Sequence, residues 1–251
     1  MSILENITPS PRKTMTIFYL IDTSESMSGA RIGAVNGAME ECQDMLKEIS
    51  QANDDAEIKV AVMQFSSGCS WITSNVEPVE LEKWKWCDLQ PGGITDFGAA
   101  LLELDSKLSR NEFLKSQTGA YAPVILLFSD GGPTDNWKKG LEQLKKNNWF
   151  KHAIKIAIDI DSSSDKTVLE AFTGHPEAIL DAKNKAVLKK MIHKVSVHAS
   201  EFQSHSKQTN EIETTPEEDS VSIVKDVIDE IKNEEETTGG VQADDSEWVN
   251  W

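Results

Sequence analysis

Cysteine is scarce in this chain. Cys42, Cys69 and Cys87 are an odd number with no Cys-x-x-Cys pair, which excludes a disulfide framework and a zinc knuckle. Basic residues are also few: lysine and arginine total 25 against 42 acids, a formal net charge of −17 over 251 residues. Nucleic acid and anionic membranes want a basic face, so neither is an expected partner. No apolar run reaches the length that crosses a bilayer, and the opening residues lack an apolar stretch with a small-residue cleavage site. The expected location is the cytoplasm. The length suits one sizeable α/β domain with extras.

What is present is organised around residues 16–28, TIFYLIDTSESMS. Ile17 to Ile21 is a short β-branched and aromatic run that reads as a buried strand. Where it stops, Asp22, Ser24 and Ser26 bring oxygen atoms at alternate positions, so one carboxylate and two hydroxyls can turn toward one point. Hard divalent cations prefer such ligands. Two later segments repeat the cue at an expected strand end or helix start: Gly92-Gly93-Ile94-Thr95, and Leu127-Phe128-Ser129-Asp130-Gly131-Gly132. Thr95 and Asp96 are both good helix N-caps, so capping is the plain alternative for Thr95.

Along the chain, residues 1–14 read as an irregular arm. Ala30 to Ser50 has helical periodicity, and Glu57 to Phe65 is a strand. Cys69 to Thr73 follows so closely that it must pair antiparallel. Trp71, Trp84 and Trp86 read mainly as packing. A helix is expected from Phe97 to Leu108. Val124 to Phe128 is almost purely apolar, the pattern of a central parallel strand covered on both faces. Pro133 and Thr134 are expected to begin a helix toward Asn147. His152 to Ile160 alternates enough to place it nearer an edge. Then come a short helix from Lys166 to Phe172, a short strand from Ala178 to Leu180, and a helix from Ala186 to Phe202 with one apolar stripe. The histidines share no ligand or catalytic spacing. The order predicts a doubly wound, Rossmann-like, mostly parallel α/β sheet with one antiparallel edge strand over residues 15–204, with ligands beyond the carboxyl ends of the strands.

Residues 205–251 change character. From Ser206 onward, fourteen acids face three lysines, a net −11. Within this tail Thr215-Pro216-Glu217-Glu218 is a capping box with proline at the first helical position. Val221, Val224, Ile228 and Ile231 then mark an amphipathic helix over about 216–233. That helix either folds back on the domain or docks in a partner groove. Trp248 and Trp251, flanked by acids, read as a partner-binding motif, and the tail as a docking peptide dispensable for folding.

Asp22, Ser24, Ser26, Thr95 and Asp130 together resemble the metal-ion-dependent adhesion site of von Willebrand factor A (vWA) domains, over roughly Met15 to Phe202. The resemblance implies the vWA fold and a cation at those five residues, usually Mg²⁺, with Mn²⁺ or Ca²⁺ as variants. It also implies docking of a partner protein's acidic residue on the metal. The segments at 92–101, 129–137 and 172–177 are similar to the bacterial tellurium-resistance-associated (TerY-like) subgroup. That subgroup implies a cytoplasmic stress-response role beside a protein kinase and a metal-dependent protein phosphatase. Glu25 stands where the family most often has glycine, adding a carboxylate at the rim where a partner would dock. The rival class is a Mg²⁺-dependent phosphate-transferring hydrolase with Asp22 as nucleophile. It wants a second acid two residues on, where this chain has Ser24, and a local histidine or lysine, which the metal loops lack. A non-enzymatic interaction module is therefore expected.

Overall fold

In the computed structural model, residues 12–52, 56–160, 166–182, 184–205 and 214–237 are described. The centre of the molecule is β1 (Lys13–Asp22), buried from Thr14 to its end. It pairs in parallel with β2 (Ala56–Ser66) on one side and β5 (Val124–Ser129) on the other. Beyond β5 lie β6 (Ile154–Asp159) and β7 (Ile179–Asp181), also parallel. Beyond β2 lies β3 (Gly68–Trp71), antiparallel, giving the order β3-β2-β1-β5-β6-β7. A two-residue strand, β4 (Val79–Glu80), takes the amino-terminal half of the same edge of β2. The doubly wound, mostly parallel α/β sheet is thus as expected. The chain turns one way from β1 to β2 and the other way from β5 onward, so the switch point lies between β1 and β5.

Alternation along β1 and β5 builds two cores. Ile17, Tyr19, Ile21, Val124, Leu126 and Phe128 face α1 (Ala30–Ala52) and α6 (Lys185–His205). Phe18, Leu20, Ile125 and Leu127 face α2 (Phe97–Lys107), α3 (Trp137–Leu144) and α5 (Thr167–Thr173). Trp84 stacks on Tyr19 and Trp71 tilts against Phe113, so both are packing residues. Among the described residues, no helix is long and apolar enough to cross a membrane.

Four local expectations need correction. The amino-terminal arm ends two residues early, because Lys13 and Thr14 already lie in β1, where Thr14 exchanges backbone hydrogen bonds with Gly119 and Tyr121. The helix expected from Pro133 begins only at Trp137, since residues 134 and 135 bond elsewhere: Thr134 to Thr95, and Asp135 to α2. A further short helix, α4 (Asn148–Lys151), precedes β6. The last strand but one, β6, is buried throughout rather than alternating, because a helix from the acidic tail covers it.

That helix is α7 (Pro216–Thr237). Its capping box is closed as the sequence implied: the Glu218 amide donates to Thr215 Oγ1 at 3.2 Å, and the Thr215 amide to Glu218 Oε2 at 2.8 Å. It folds back on its own domain. Ile223, Val224, Val227 and Ile231 join the α1–α6 core. Lys155 of β6 is only 3 % exposed and pairs with Glu217 at 3.2 Å, while its amide donates to Ser220 Oγ. Burial pushes the Lys155 pKa down, against the opposing pull of Glu217. Trp248 and Trp251 lie outside the described residues.

Against the expectation of a dispensable tail, removing residues 206–251 should lower the melting temperature. Ile223→Ala alone should cost about 2–5 kcal/mol in a denaturant titration, as core truncations do. Unchanged stability in both proteins would contradict the packing of α7. A second stability test concerns α2 and α3, which touch through glycines. A Cβ at Gly140 would lie 2.7 Å from the Gly98 carbonyl oxygen. Gly140→Ala should destabilise by about 1–3 kcal/mol, the cost of overpacking.

Candidate metal centre

Asp22 is the last residue of β1 and is fully buried. Two donors fix its carboxylate: the Ser24 amide reaches Oδ1 and the Ser129 hydroxyl reaches Oδ2, both at 2.8 Å. Burial raises its pKa, the neighbouring Asp130 adds to the rise, and the bonds from Ser24 and Ser129 oppose it. Ser129 ends β5, so the strand beside β1 orients the Asp22 carboxylate and delivers Asp130 one residue later.

The loop after β1 turns through a 3-10 helix, Glu25–Met27. It sets the Ser24 and Ser26 hydroxyls 3.0 Å apart, and the Ser26 hydroxyl donates to Asp130 Oδ1 at 2.8 Å. Carboxylate, hydroxyl, hydroxyl and carboxylate thus form one contiguous patch across the switch point.

Thr95 arrives on a second loop stitched to the first. The Gly92 amide donates to the Thr23 carbonyl, and the Glu25 amide to the Gly93 carbonyl. Gly93 is required there: its φ is +83°, and a Cβ would lie 2.4 Å from Ser67 Oγ. Thr95 is buried and tied to the third loop, its carbonyl accepting from the Thr134 amide at 2.9 Å. It lines one small cavity with Ser129 and Gly131. The capping alternative for Thr95 loses its motive. Neither Thr95 nor Asp96 caps α2; Asp135 does so from the third loop, accepting from the Gly98 and Ala99 amides at 2.9 and 3.1 Å. Asp96 instead accepts from the Gly68 amide.

Glu25 is exposed on the rim, with Oε2 facing Gly92 across 3.9 Å to where a Cβ would stand. It is no part of the hydrogen-bonded patch. Ile94 beside it is an exposed hydrophobic residue. The described histidines lie away from the site: His152 and His175 flank short helices, and His193, His198 and His205 lie on α6.

Sequence reasoning missed two residues. Ser129 was seen only as part of the strand end, and nothing in a linear pattern tells that its hydroxyl turns to Asp22. Arg31, in the first turn of α1, puts Nη1 2.7 Å from Asp130 Oδ2 and 2.9 Å from the Ser26 carbonyl oxygen. A usable signal existed. A cation in a helix's first turn opposes the helix dipole, so it calls for an acid nearby.

The donor set fits a hard divalent cation. Among the described residues, no group of three or more His, Cys, Asp or Glu could hold a metal. Any ion here would rest on two carboxylates and neutral hydroxyls, all of them oxygen.

Residues 17–133 match the family model described as von Willebrand factor type A domain. No curated protein sequence matches the chain. Among solved structures, proximal thread matrix protein 1 from the mussel byssus aligns with 20 % identity and a TM-score of 0.56, over 75 % of this chain and 48 % of that one. A form of the same protein has a zinc-occupied MIDAS motif; it aligns at 15 % identity and a TM-score of 0.51, covering 75 % of this chain and 46 % of that one. A von Willebrand factor type A protein from Catenulispora acidiphila aligns with 13 % identity and a TM-score of 0.54, over 75 % and 43 %. The chain spans less than half the length of each of these proteins. The sheet order agrees with these neighbours in fold, and residues 17–133 resemble a von Willebrand factor type A domain.

Proposed function

We propose that the domain is a divalent-cation-dependent protein–protein interaction module, with Asp22, Ser24, Ser26, Thr95 and Asp130 holding the ion and Mg²⁺ as the resident metal. The observation that carries this is the contiguous carboxylate–hydroxyl patch from Asp22 to Asp130, built from separate loops at the sheet's switch point. When bound, the ion supplies an electrophilic centre that accepts an acidic side chain from a partner. The protein's residues do the rest. Asp22 and Asp130 balance the ion's two charges, and the serines and Thr95 add neutral oxygens that leave it electrophilic. The Ser24 amide and Ser129 hydroxyl hold Asp22 in one orientation. Glu25 and the exposed Ile94 form the rim a partner meets, with Trp248 and Trp251 as a second contact. The zinc-occupied motif in the mussel protein supports a metal here.

The domain is non-enzymatic in this proposal. Ser24 stands where a phosphate-transferring hydrolase needs its second acid, and the metal loops hold no histidine or lysine as a general base. Its setting is a bacterial cytoplasmic system of the tellurium-resistance or stress-response type, with a protein kinase and a metal-dependent protein phosphatase as partners. Support for that setting is the likeness of residues 92–101, 129–137 and 172–177 to the TerY-like subgroup.

Calorimetric titration of the chelator-stripped chain with Mg²⁺ should show binding that Asp22→Ala abolishes. Ser129→Ala, which removes only a support, should weaken it by about 10–100-fold. Identical titrations for all three proteins would remove the metal assignment. The chain should also release no phosphate from a phosphomonoester with Mg²⁺ present; turnover lost on Asp22→Asn would establish the hydrolase instead.

A further inference from the structure

Asp130 is the one ligand of the patch that already holds a cationic group. Its side chain is 0 % exposed, and both carboxylate oxygens are engaged: Oδ1 by the Ser26 hydroxyl at 2.8 Å, Oδ2 by Arg31 Nη1 at 2.7 Å. The same guanidinium nitrogen donates to the Ser26 carbonyl oxygen at 2.9 Å. Arg31 therefore holds two of the five residues assigned to the ion, Asp130 by its carboxylate and Ser26 by its backbone carbonyl.

The position of Arg31 is not explained by helix stability. It lies in the first turn of α1, where unpaired N–H groups already make a positive pole and a cation is disfavoured. The attraction that holds it there comes from the metal loops. A guanidinium stays charged at any pH a protein survives, so it cannot vacate by losing a proton. It can leave by moving: the Arg31 side chain is 24 % exposed, open to solvent where Asp130 is not.

Resting on the reading of this patch as a divalent-cation site, we propose that Arg31 is a resident counter-ion that competes with the metal for Asp130. Without metal, the guanidinium offsets the charge of a buried carboxylate and keeps the loops closed. Occupancy by an ion requires the Arg31–Asp130 bond to yield, because the ion and guanidinium draw on the same carboxylate and repel each other. Arg31 thereby sets the cation concentration at which the module becomes able to dock a partner.

The test uses the full chain stripped of metal and titrated calorimetrically with Mg²⁺ and with Mn²⁺. Arg31→Gln should bind both ions about tenfold more tightly or better, since a charge-assisted bond to a buried carboxylate no longer has to be displaced. Its metal-free melting temperature should fall, and the rise on adding metal should exceed that of the wild type. Lys47→Gln, which removes a charge from the far end of the same helix, should leave affinity unchanged. If Arg31→Gln does not fold, Arg31→Lys keeps the charge without the fork and should still bind more tightly than wild type, by a smaller factor. Wild-type binding with no gain in the Arg31 variants overturns this proposal alone, as does an equal gain in Lys47→Gln. No binding by either wild type or folded Arg31→Gln overturns the metal site itself, and the proposal with it.

Discussion

Asp22 and Asp130 are acids delivered to one spot by adjacent parallel strands, and both are buried. Two unit charges 4 Å apart repel by about 4 kcal/mol at an effective dielectric of 20, before any cost of leaving water. What makes the arrangement tolerable is the density of donors: the Ser24 amide and Ser129 hydroxyl on Asp22, the Ser26 hydroxyl and Arg31 on Asp130. Hydrogen bonds to charged groups contribute about 1.5–3 kcal/mol each, so four of them outweigh the repulsion. Two of these donors, Ser26 and Arg31, reach from the first loop and α1 to Asp130 beyond β5, so the balance also ties the first loop to the third.

The acidic tail raises the same question of charge against burial. Glu230 and Glu234 of α7 meet Lys190, Lys194 and His198 of α6, and Lys225 meets Glu177. These pairs lie at the partly exposed seam between the helices, and surface pairs contribute about 0–1 kcal/mol each. Burying Ile223, Val224, Val227 and Ile231 contributes about 1.5–3 kcal/mol apiece. Apolar burial therefore decides that α7 docks, and the ion pairs orient it. Within the described residues 214–237, nine acids against two lysines mark the solvent face of α7, not an absence of folding.

Much of this was legible in the linear chain, because period and punctuation are local. The apolar runs at 17–21 and 124–128 gave the central strands, and Thr215 with Glu218 gave a closed capping box. The hard-oxygen residues Asp22, Ser24, Ser26 and Asp130 were legible too, as residues following those strands. Other features were hidden for a common reason: a side chain was used far from its own position. Asp135 looks like a residue near the start of its own helix, yet it caps α2. Ser129 reads as strand and holds Asp22. Lys155 makes β6 look half-exposed, whereas its ammonium group is buried against the Phe150 and Ala153 carbonyls and Glu217. Arg31 reads as an ordinary helix residue until Asp130 is beside it.

The cap that Asp135 places on α2 governs where the site can give. It binds the third loop to the start of the helix that follows the second loop, and the Gly98–Gly140 approach leaves no slack between those helices. Thr95 and Asp130 consequently belong to one stiff jaw. The opposite jaw is residues 24–29, which turn at Gly29 with φ +77° straight into α1. In the proposed metal site, an ion of different radius or a partner's carboxylate would be accommodated by that side. Because α1 lies against α6, and α6 against α7, that jaw is continuous with a layer of three helices on one face of the sheet, brought together from segments tens of residues apart in sequence.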